Sequence, residues 1–346
     1  MLPETQKAIT LENKEGDLAV RTIPVLHPGK GEVLVKVQAA ALNPVDWKMR
    51  RFGLFVAEYP SFIGSDIAGE VVEIGDGVTD LVTGDKVVLA GEFSDARKGS
   101  AGLQQYAIAD VLTLAKIPPN ITTVQAASVP VGFSAAYVAL YNSAPHGLGY
   151  ESPITARGKC SGTPIVVLGG SSSVGQYVIQ LANLSGFSPI VAIASLKHAK
   201  YIKSLGATDV VDRSLPGDTL KAEVKAKVGR ENINIVFDAI SSAETQQLAL
   251  DLVAPGGTLI ITIPPLVKSE DKKIIMTEAK KSVPRNVGLL RNMYTKLEEW
   301  LLSGDIKPNQ VETLPGGLNG VPDGLSRLEK GQVSALKLVA LPQETF

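Results

Sequence analysis

Short hydrophobic segments separated by turns make up the first part of the chain, up to about residue 120. Residues 32–39 and 67–74 alternate in part between apolar and polar side chains, with the period of two that is typical of half-buried strands. Glycines such as Gly53, Gly64 and Gly84 punctuate these segments. The pattern predicts a compact β-rich domain.

Strands that alternate with helices begin at about residue 164. Apolar residues recur with helical spacing at 176–184 and 197–205, and the continuous apolar runs of strand length lie at 164–168, 189–194, 209–211, 233–237 and 258–262. Continuous apolar strands with helices between them are typical of a parallel sheet that is covered on both faces. This region therefore predicts a doubly wound α/β domain.

The segments on either side of the α/β region set the predicted domain boundaries. Residues 123–130 and 132–140 have the pattern of two helical pieces, and the Gly-, Pro- and Ser-rich stretch 143–163 predicts a surface loop. A predicted helix at 287–302 leads into a strand-like tail at 335–340. We therefore predict a β-rich domain at residues 1–123 and 286–346, with the α/β domain inserted at 124–285.

The composition narrows the class of protein. Of 346 residues, 45% are hydrophobic, and 34 basic against 35 acidic residues give a net charge of −1, which argues against a nucleic-acid-binding protein. The single cysteine, Cys160, excludes an intrachain disulfide and a zinc site built from several thiolates. The near absence of cysteine fits a reducing compartment, so we expect a cytoplasmic protein.

We expect no association with membranes. No stretch reaches the ~18 uninterrupted apolar residues of a transmembrane helix. The first residues also lack the apolar core of a signal peptide, so we expect no secretion either.

A glycine- and serine-rich turn follows the first strand of the α/β region. Ser172 replaces the middle glycine of the dinucleotide-binding pattern Gly-x-Gly-x-x-Gly. Gly170 would allow the tight turn, and Gly175 would let the helix pack closely on the sheet. The hydroxyl and main-chain N–H donors to a pyrophosphate would come from Ser171, Ser172, Ser173 and Val174. Because the turn lies in an α/β frame, we favour dinucleotide binding over an ordinary strand-to-helix turn.

The end of the second α/β strand has no acidic residue. NAD-selective folds place Asp or Glu there to bind the ribose 2′-hydroxyl, whereas this chain has Ser195 followed by Leu196, Lys197 and His198. Lys197, His198 and Arg213, which follows the third strand, could neutralise a 2′-phosphate. We therefore expect NADPH, with Ser195 and these three side chains in its site. A solvated helix face is the alternative explanation for the lysine.

Two further motifs lie in the β-rich region. Residues 43–48 read Asn-Pro-Val-Asp-Trp-Lys, and residues 64–69 read Gly-Ser-Asp-Ile-Ala-Gly. Taken alone, the first motif predicts a turn between strands, with Asp46 and Lys48 as candidate polar groups.

The order of the motifs along the chain resembles that of a known family. Residues 43–48, 64–69, 84–87, 170–175 and 331–339 follow one another as in the medium-chain dehydrogenase/reductase superfamily. Within it, the chain is similar to the zinc-independent quinone oxidoreductase/enoyl reductase branch, and closer still to the trans-acting enoyl reductases of fungal polyketide pathways. The resemblance spans nearly the whole chain. It implies a Rossmann doubly wound parallel sheet inserted in a β-rich, GroES-like catalytic domain.

The resemblance also implies functional residues. Lys48 aligns with a lysine proposed to lie beside the nicotinamide in the resembling enoyl reductases. Ser134 lies where the branch usually has a threonine near the same ring, so these two residues are the catalytic candidates. Further NADPH contacts are implied at Asn43, Asp46, Trp47, Lys48, Val333 and Ser334.

No metal is expected. Zinc alcohol dehydrogenases that the chain resembles place a cysteine ligand at the turn where this chain has Asn43–Asp46, and a histidine where it has Ser65 and Asp66. Many also carry a four-cysteine lobe near residue 100, but residues 92–102 contain no cysteine. Without zinc to polarise a carbonyl group, simple alcohol oxidation is disfavoured.

The resemblance then implies hydride transfer from NADPH to an activated alkene. Negative charge on the substrate carbonyl oxygen needs a donor, and the α-carbon needs a proton. Lys48 could serve either need. Some enoyl reductases of the superfamily use a tyrosine shortly after the Asn-Pro turn, whereas the nearest equivalent here is Phe52, so water is an alternative proton source.

Several alternatives stay open at this point. The substrate could be an enone, an enoyl thioester or a quinone, and a carrier protein could deliver it. A quinone reductase or an NADPH-binding protein with little catalysis would use the same fold. The branch includes dimers, and its fungal trans-acting members can be monomers, so either a monomer or a homodimer is compatible with the resemblance.

Overall fold

The structure of the chain is a computed structural model that describes residues 2–92 and 99–346. Residues 93–98, within the stretch where zinc-bearing relatives would place four cysteines, lie outside the described residues. The strands are β1 (Thr5–Leu11), β2 (Leu18–Pro24), β3 (Glu32–Ala41), β4 (Ser61–Phe62), β5 (Asp66–Ile74), β6 (Lys86–Ala90), β7 (Tyr106–Asp110), β8 (Leu114–Lys116), β9 (Ile165–Leu168), β10 (Ile190–Ala194), β11 (Asp209–Asp212), β12 (Ile233–Asp238), β13 (Val253–Ile261), β14 (Lys273–Met276), β15 (Gln310–Thr313) and β16 (Leu336–Ala340). The α-helices are α1 (Pro44–Phe52), α2 (Thr123–Ala126), α3 (Pro130–Tyr141), α4 (Ser173–Ser185), α5 (Ala199–Ser204), α6 (Gly217–Val228), α7 (Ala243–Leu252), α8 (Pro284–Ser303) and α9 (Val321–Glu329).

The chain divides into two compact units. The β-rich unit contains Met1–Val131, Tyr294–Ser303 and Pro308–Phe346, and the α/β unit contains Gly132–Met293 and Gly304–Lys307. Both main divisions fall later in the chain than the boundaries predicted after residues 123 and 285. The predicted boundaries lie near the starts of α2 and α8, whereas the units divide inside α3 and inside α8.

The β-rich unit is built around a mainly antiparallel sheet. In its described part the strand order is β15-β16-β3-β5-β6-β8, and β7 also pairs with β3. A smaller sheet has the order β2-β1-β4. Apolar side chains from several strands, including Val33, Val35, Val37, Ile67 and Leu89, are fully buried and form one core. The predicted β-rich domain is therefore confirmed.

Helix α1 occupies the segment that the sequence predicted as a turn between strands, and that prediction is wrong. Pro44 stands at the first helical position, where its missing N–H is not needed. The side chain of Asp46 accepts a hydrogen bond of 2.7 Å from the main-chain N–H of Asn43. Gly53 ends the helix in the left-handed conformation, with φ of 68°. These local signals make a short helix more favourable than an extended turn.

The α/β unit contains one parallel sheet. Its strand order is β11-β10-β9-β12-β13-β14, and all neighbouring strands in this order are parallel. The chain winds outward from β9 in one direction and from β12 in the other, which is the doubly wound Rossmann arrangement. All four side chains of β9 are buried, as its apolar sequence predicts. The predicted fold class is confirmed.

The segment Thr123–Tyr141 is long and apolar enough to cross a membrane by length and composition alone. In this structure 72% of its most apolar window is buried. A buried core helix of a soluble protein can meet the same criteria of length and apolar composition. The segment by itself is therefore weak evidence for a membrane span.

Replacing Gly175 with alanine should destabilise the α/β unit. A Cβ at this position would lie 2.3 Å from the carbonyl oxygen of Gly169, so the helix or the strand end must shift. We expect a loss of about 1–3 kcal/mol in the free energy of unfolding, measured by urea denaturation. The matched control is Gly217→Ala, at a helix start with nothing within 4 Å of the added Cβ. Equal unfolding midpoints for the two variants would contradict the expectation.

Candidate functional site

The turn between β9 and α4 has the close packing that a dinucleotide-binding turn requires. The structural roles of its individual glycines differ from those predicted. Gly169, with φ of 72°, takes the conformation that favours glycine. A Cβ at Gly170 would instead lie 2.7 Å from the Cβ of Ala192 on the neighbouring strand. The tight-turn role assigned to Gly170 therefore belongs to Gly169, and Gly170 permits close packing on β10.

The first turn of α4 presents main-chain donors. The hydroxyl oxygen of Ser172 caps the helix by accepting a hydrogen bond of 3.1 Å from the N–H of Gly175. Gly175 also allows the helix to approach Gly169 closely, as predicted. The predicted donors Ser171, Ser172, Ser173 and Val174 are all partly exposed. A helix start of this kind favours a bound phosphate group, and the predicted contacts to it stay a prediction.

The ends of β10 and β11 lie side by side. Ala194 and Asp212 are partners in the parallel register, and the N–H of Arg213 donates to the carbonyl oxygen of Ala194 at 3.1 Å. Because neighbouring parallel strands end at the same edge of the sheet, the half-buried Ser195 and the exposed Arg213 are brought to that edge together.

The basic residues predicted for a 2′-phosphate interact electrostatically. Burial lowers the pKa of His198, and the positive charges of Lys197 and Arg213 lower it further. The structure therefore brings the three side chains near one another, with Lys197 and Arg213 exposed. Asp212, at the end of β11, is an acidic group at the same edge that the sequence analysis overlooked. Contact with a phosphate group stays a prediction.

Exposed apolar side chains follow three strands at the carboxyl edge of this sheet. Leu196, Ile240 and Leu266 are 51%, 45% and 59% exposed, in the segments after β10, β12 and β13. A Cβ on Gly169 would lie 2.6 Å from the side chain of Ile240. None of the three was among the predicted site residues, although Leu196 and Ile240 each lie two residues after a strand end, which is a signal readable from the sequence. A flat apolar ring of a ligand could pack against these side chains.

Ser134 lies on α3 and is only 2% exposed. Its hydroxyl oxygen has no hydrogen-bond partner among the described residues. A buried hydroxyl without a partner is unfavourable, and in native proteins such groups are usually satisfied by a ligand or water. The hydroxyl group of Ser134 is therefore suited to form a hydrogen bond with a polar group of a ligand. The catalytic role of Ser134 stays a prediction.

In the β-rich unit, Asn43 and Asp46 are buried and bonded inside the protein. The carboxylate of Asp46 accepts hydrogen bonds from the N–H groups of Asn43 and Gly64, at 2.7 and 3.2 Å. Burial raises the pKa of Asp46 from 3.8 to about 7, because the charged carboxylate is removed from water. Both side chains therefore hold the start of α1, and their predicted cofactor contacts stay predictions.

Two charged residues that the sequence analysis missed complete this cluster. Asp66, at the start of β5, and Lys337, on β16, form an ion pair, with side-chain exposures of 0% and 4%. Lys337 Nζ also donates to Asn43 Oδ1 at 2.8 Å. A lysine inside an otherwise apolar strand was the available signal for Lys337.

Lys48 is half-buried on α1, and burial lowers the pKa of its ammonium group. Its Nζ lies 5.6 Å from the ring centroid of Trp47. No carboxylate pairs with it in the part of the chain that the structure describes. Phe52, on the same helix, is 60% exposed, and its ring centroid lies 6.0 Å from that of Trp47. Lys48 is therefore a partly desolvated cation beside an aromatic pair.

The tail candidates Val333 and Ser334 precede β16. Val333 is half-buried and packs on the core of the β-rich unit, and Ser334 is exposed. The next residue, Ala335, has φ of 60°, an unusual conformation for a non-glycine residue. Their predicted contacts with the cofactor stay predictions.

Within residues 2–92 and 99–346, no three His, Cys, Asp or Glu side chains are grouped so that they could hold a metal ion. Ser65, at the position of a zinc-ligating histidine in the resembling alcohol dehydrogenases, is buried, and its side-chain hydroxyl has no hydrogen-bond partner in the described chain. The expectation of a zinc-free site stays a prediction.

Comparison with known proteins identifies the family. The model of the alcohol dehydrogenase GroES-like domain matches residues 29–140, and the model named zinc-binding dehydrogenase matches residues 173–280. A trans-enoyl reductase, himH, of Aspergillus japonicus is 34% identical, over 89% of each chain. The chain belongs to the medium-chain dehydrogenase/reductase superfamily. Within that superfamily it belongs to the enoyl reductase branch.

Other proteins similar to this medium-chain dehydrogenase/reductase are named after different activities. A zinc-type alcohol dehydrogenase-like protein of Schizosaccharomyces pombe is 32% identical, over 96% of this chain and 99% of the relative. The quinone oxidoreductase of Coxiella burnetii is 22% identical, with a TM-score of 0.74 over 97% and 98% of the two chains, which supports the fold alone. The family and its Rossmann sheet imply an oxidoreductase with a nicotinamide cofactor.

The raised pKa of Asp46 predicts a pH-dependent contribution to the stability of this medium-chain dehydrogenase/reductase. Because the folded protein binds this proton more tightly than the unfolded chain, the contribution is full below about pH 4 and is lost as the pH rises to about 7. The change amounts to about 4 kcal/mol at most. Asp46→Asn should lack it, as urea unfolding across this pH range would show.

The control for that measurement is Asp76→Asn, at an exposed carboxylate of the same unit. Its stability curve should run parallel to that of the unchanged protein. A parallel curve for Asp46→Asn as well would show that Asp46 does not titrate in this range.

Proposed function

We propose that this chain is a zinc-independent, NADPH-dependent reductase of α,β-unsaturated carbonyl compounds. The observation that carries the proposal is Lys48, a half-buried ammonium group with a lowered pKa and no carboxylate partner among the described residues. A free, partly desolvated cation of this kind interacts strongly with a developing oxyanion. Similarity to the trans-enoyl reductase of Aspergillus japonicus supports the same reaction class.

The proposed cofactor site lies on the α/β unit. The start of α4 would hold the pyrophosphate, because its first-turn N–H groups and helix dipole favour a phosphate group. Lys197, His198 and Arg213 would neutralise the 2′-phosphate. The unpartnered hydroxyl of Ser134 supports a polar ligand group beside α3. The preference for NADPH over NADH rests on the absence of an acidic residue directly after β10 and on these basic side chains.

NADPH, when bound, supplies a hydride to the β-carbon of the alkene. In the proposed mechanism, Lys48 stabilises the negative charge on the substrate carbonyl oxygen or donates the proton that the α-carbon needs. Its lowered pKa brings the ammonium group closer to the pKa of a useful general acid. Phe52 is the nearest equivalent in sequence to the tyrosine of the resembling enoyl reductases, and its side chain has no hydroxyl group that could donate a proton. Water is therefore the second possible proton source.

The proposed substrates are enones and enoyl thioesters, which a carrier protein could deliver, and the proposed location is the cytoplasm.

A quinone reductase is the second candidate function. The aromatic pair of the half-buried Trp47 and the exposed Phe52 favours it, because a flat ring could stack beside the ammonium group of Lys48.

The experiment that tests the proposal follows NADPH oxidation by absorbance with enoyl thioesters, simple enones and quinones, and repeats each assay with NADH. We expect turnover of an alkene, recovery of the saturated product and a preference for NADPH. Turnover of quinones alone would favour the second candidate. Tight NADPH binding without turnover of any acceptor would indicate a binding protein with little catalysis.

Removing two of the basic side chains should change cofactor preference. In the double variant Lys197→Ala/Arg213→Ala we expect the KM for NADPH to rise about tenfold or more, because two charge contacts to the 2′-phosphate are lost. The KM for NADH should change little. Lys200→Ala, at an exposed lysine on the neighbouring helix, is the matched control. Equal increases for both cofactors would contradict a 2′-phosphate role.

Removing the ammonium group of Lys48 should affect turnover. We expect Lys48→Met to lower kcat about 10²- to 10⁴-fold, the range typical of general acid catalysis, with less effect on NADPH binding. The rate of the unchanged enzyme should fall as the pH rises through the lowered pKa of Lys48, and this dependence should disappear in the variant. Arg51→Met, at an exposed residue of the same helix, is the control. An unchanged kcat and pH profile would exclude Lys48 from the chemistry.

A further inference from the structure

A buried polar cluster joins three neighbouring strands of the β-rich unit. Asn43 lies two residues after the end of β3, Asp66 begins β5 and Lys337 lies on β16, and these strands are adjacent in the order β16-β3-β5. Ala41 is the register partner of both Asp66 and Val339. The strand register therefore places the three polar side chains next to one another at one end of the sheet.

The cluster is connected by short hydrogen bonds. Lys337 Nζ donates to Asn43 Oδ1 at 2.8 Å and pairs with Asp66 Oδ2. Asn43 Nδ2 donates to the same Asp66 oxygen at 2.9 Å. The second oxygen, Oδ1, accepts from the N–H of Val131 at 2.7 Å. Each side chain is thus held by at least two others or by the main chain.

The same cluster begins the helix that carries Lys48. Asn43 is the residue directly before α1, and its main-chain N–H donates to Asp46. Helix α1 has only two fully buried side chains, Asp46 and Met49. The partly buried Val45 and Trp47 also pack on the core of the β-rich unit, so apolar contacts hold the body of α1. The hydrogen bonds of Asn43 and Asp46 fix its first turn.

A buried ion pair is a poor source of stability, because removing two charges from water offsets much of their attraction. Lys337 has side-chain exposure of 4% and Asp66 has 0%, so this desolvation is nearly complete. A pair of apolar side chains could fill the same space with similar stability. The directional bonds of the ammonium group, by contrast, specify where the Asn43 side chain lies.

We propose that Lys337 is a positioning residue that holds Asn43 and Asp66 so that α1 presents Lys48 in its working orientation. Lys337 acts through the helix and not on the reacting atoms. The catalytic consequence rests on the proposed function, in which Lys48 stabilises or protonates the substrate. The orientation of α1 can be measured without catalysis, since Trp47 precedes Lys48 on the same helix.

The test is Lys337→Met in protein labelled with fluorotryptophan. The chain has two tryptophans, so the ¹⁹F spectrum should contain one signal from Trp47 and one from the fully buried Trp300, assigned with Trp47→Phe. We expect Lys337→Met to shift the Trp47 signal and leave the Trp300 signal in place. We also expect kcat to fall about 10- to 100-fold, as for a small misplacement of a catalytic group, with little change in the KM for NADPH.

Lys330→Met is the matched control, because Lys330 is exposed at the end of α9, in the segment before β16. Its spectrum and kcat should equal those of the unchanged protein. An unshifted Trp47 signal in Lys337→Met would overturn the proposal, even with a lower melting temperature, because the effect would then be on stability alone. A shifted signal with unchanged kcat would overturn it too.

A second variant covers a failure of Lys337→Met to fold. Asp66→Asn/Lys337→Met leaves no unpaired buried carboxylate at position 66, yet Asn43 still loses its ammonium partner. The Trp47 signal should again shift, and an unshifted signal would overturn the proposal. If the unchanged enzyme reduces no acceptor, the proposed function fails, while the Trp47 signal still decides whether Lys337 positions α1.

Discussion

An ammonium group buried beside two carboxylates organises the β-rich unit. Lys337 pairs with Asp66, and the remaining carboxylate, Asp46, lies close enough to feel both charges. Because water cannot solvate these groups, each must find a partner within the fold. The partners come from β5, from β16 and from the start of α1, and β3 lies between the two strands, so the register of three strands and the beginning of a helix depend on one another.

The α/β unit depends on a different constraint, the close approach of main chain to main chain. Gly175 lets α4 start directly against Gly169, and Gly170 lets the turn lie on Ala192. The parallel sheet then brings Ser195 and Arg213 to one edge from sequence positions far apart. Side chains that could bind phosphate and apolar side chains that could cover a ring thus share an edge, because parallel strands all end in the same direction.

Much of the fold could be predicted, because apolar periodicity reports burial directly. The continuous apolar runs in the second half correspond to β9 through β13, and the punctuated segments in the first half correspond to an antiparallel sheet. Local geometry was harder to predict. Helix α1 was expected to be a turn, since nine residues are too few for helical periodicity to stand out. The tight turn belongs to Gly169, because a pattern of glycines does not reveal which one has positive φ.

The sequence by itself determined the fold class, the family and the candidate segments for the chemistry, because these depend on local spacing and on the order of motifs. Tertiary structure alone decided which charges meet. Lys337 is 271 residues from Asp66 in the chain, yet the two form an ion pair because β16 and β5 flank the same strand. Burial, which raises the pKa of Asp46 and lowers that of Lys48, is likewise a property of the packed chain. The type of a residue shows that its side chain can carry a charge. Only the surroundings of that side chain in the fold set the free energy of the charged form.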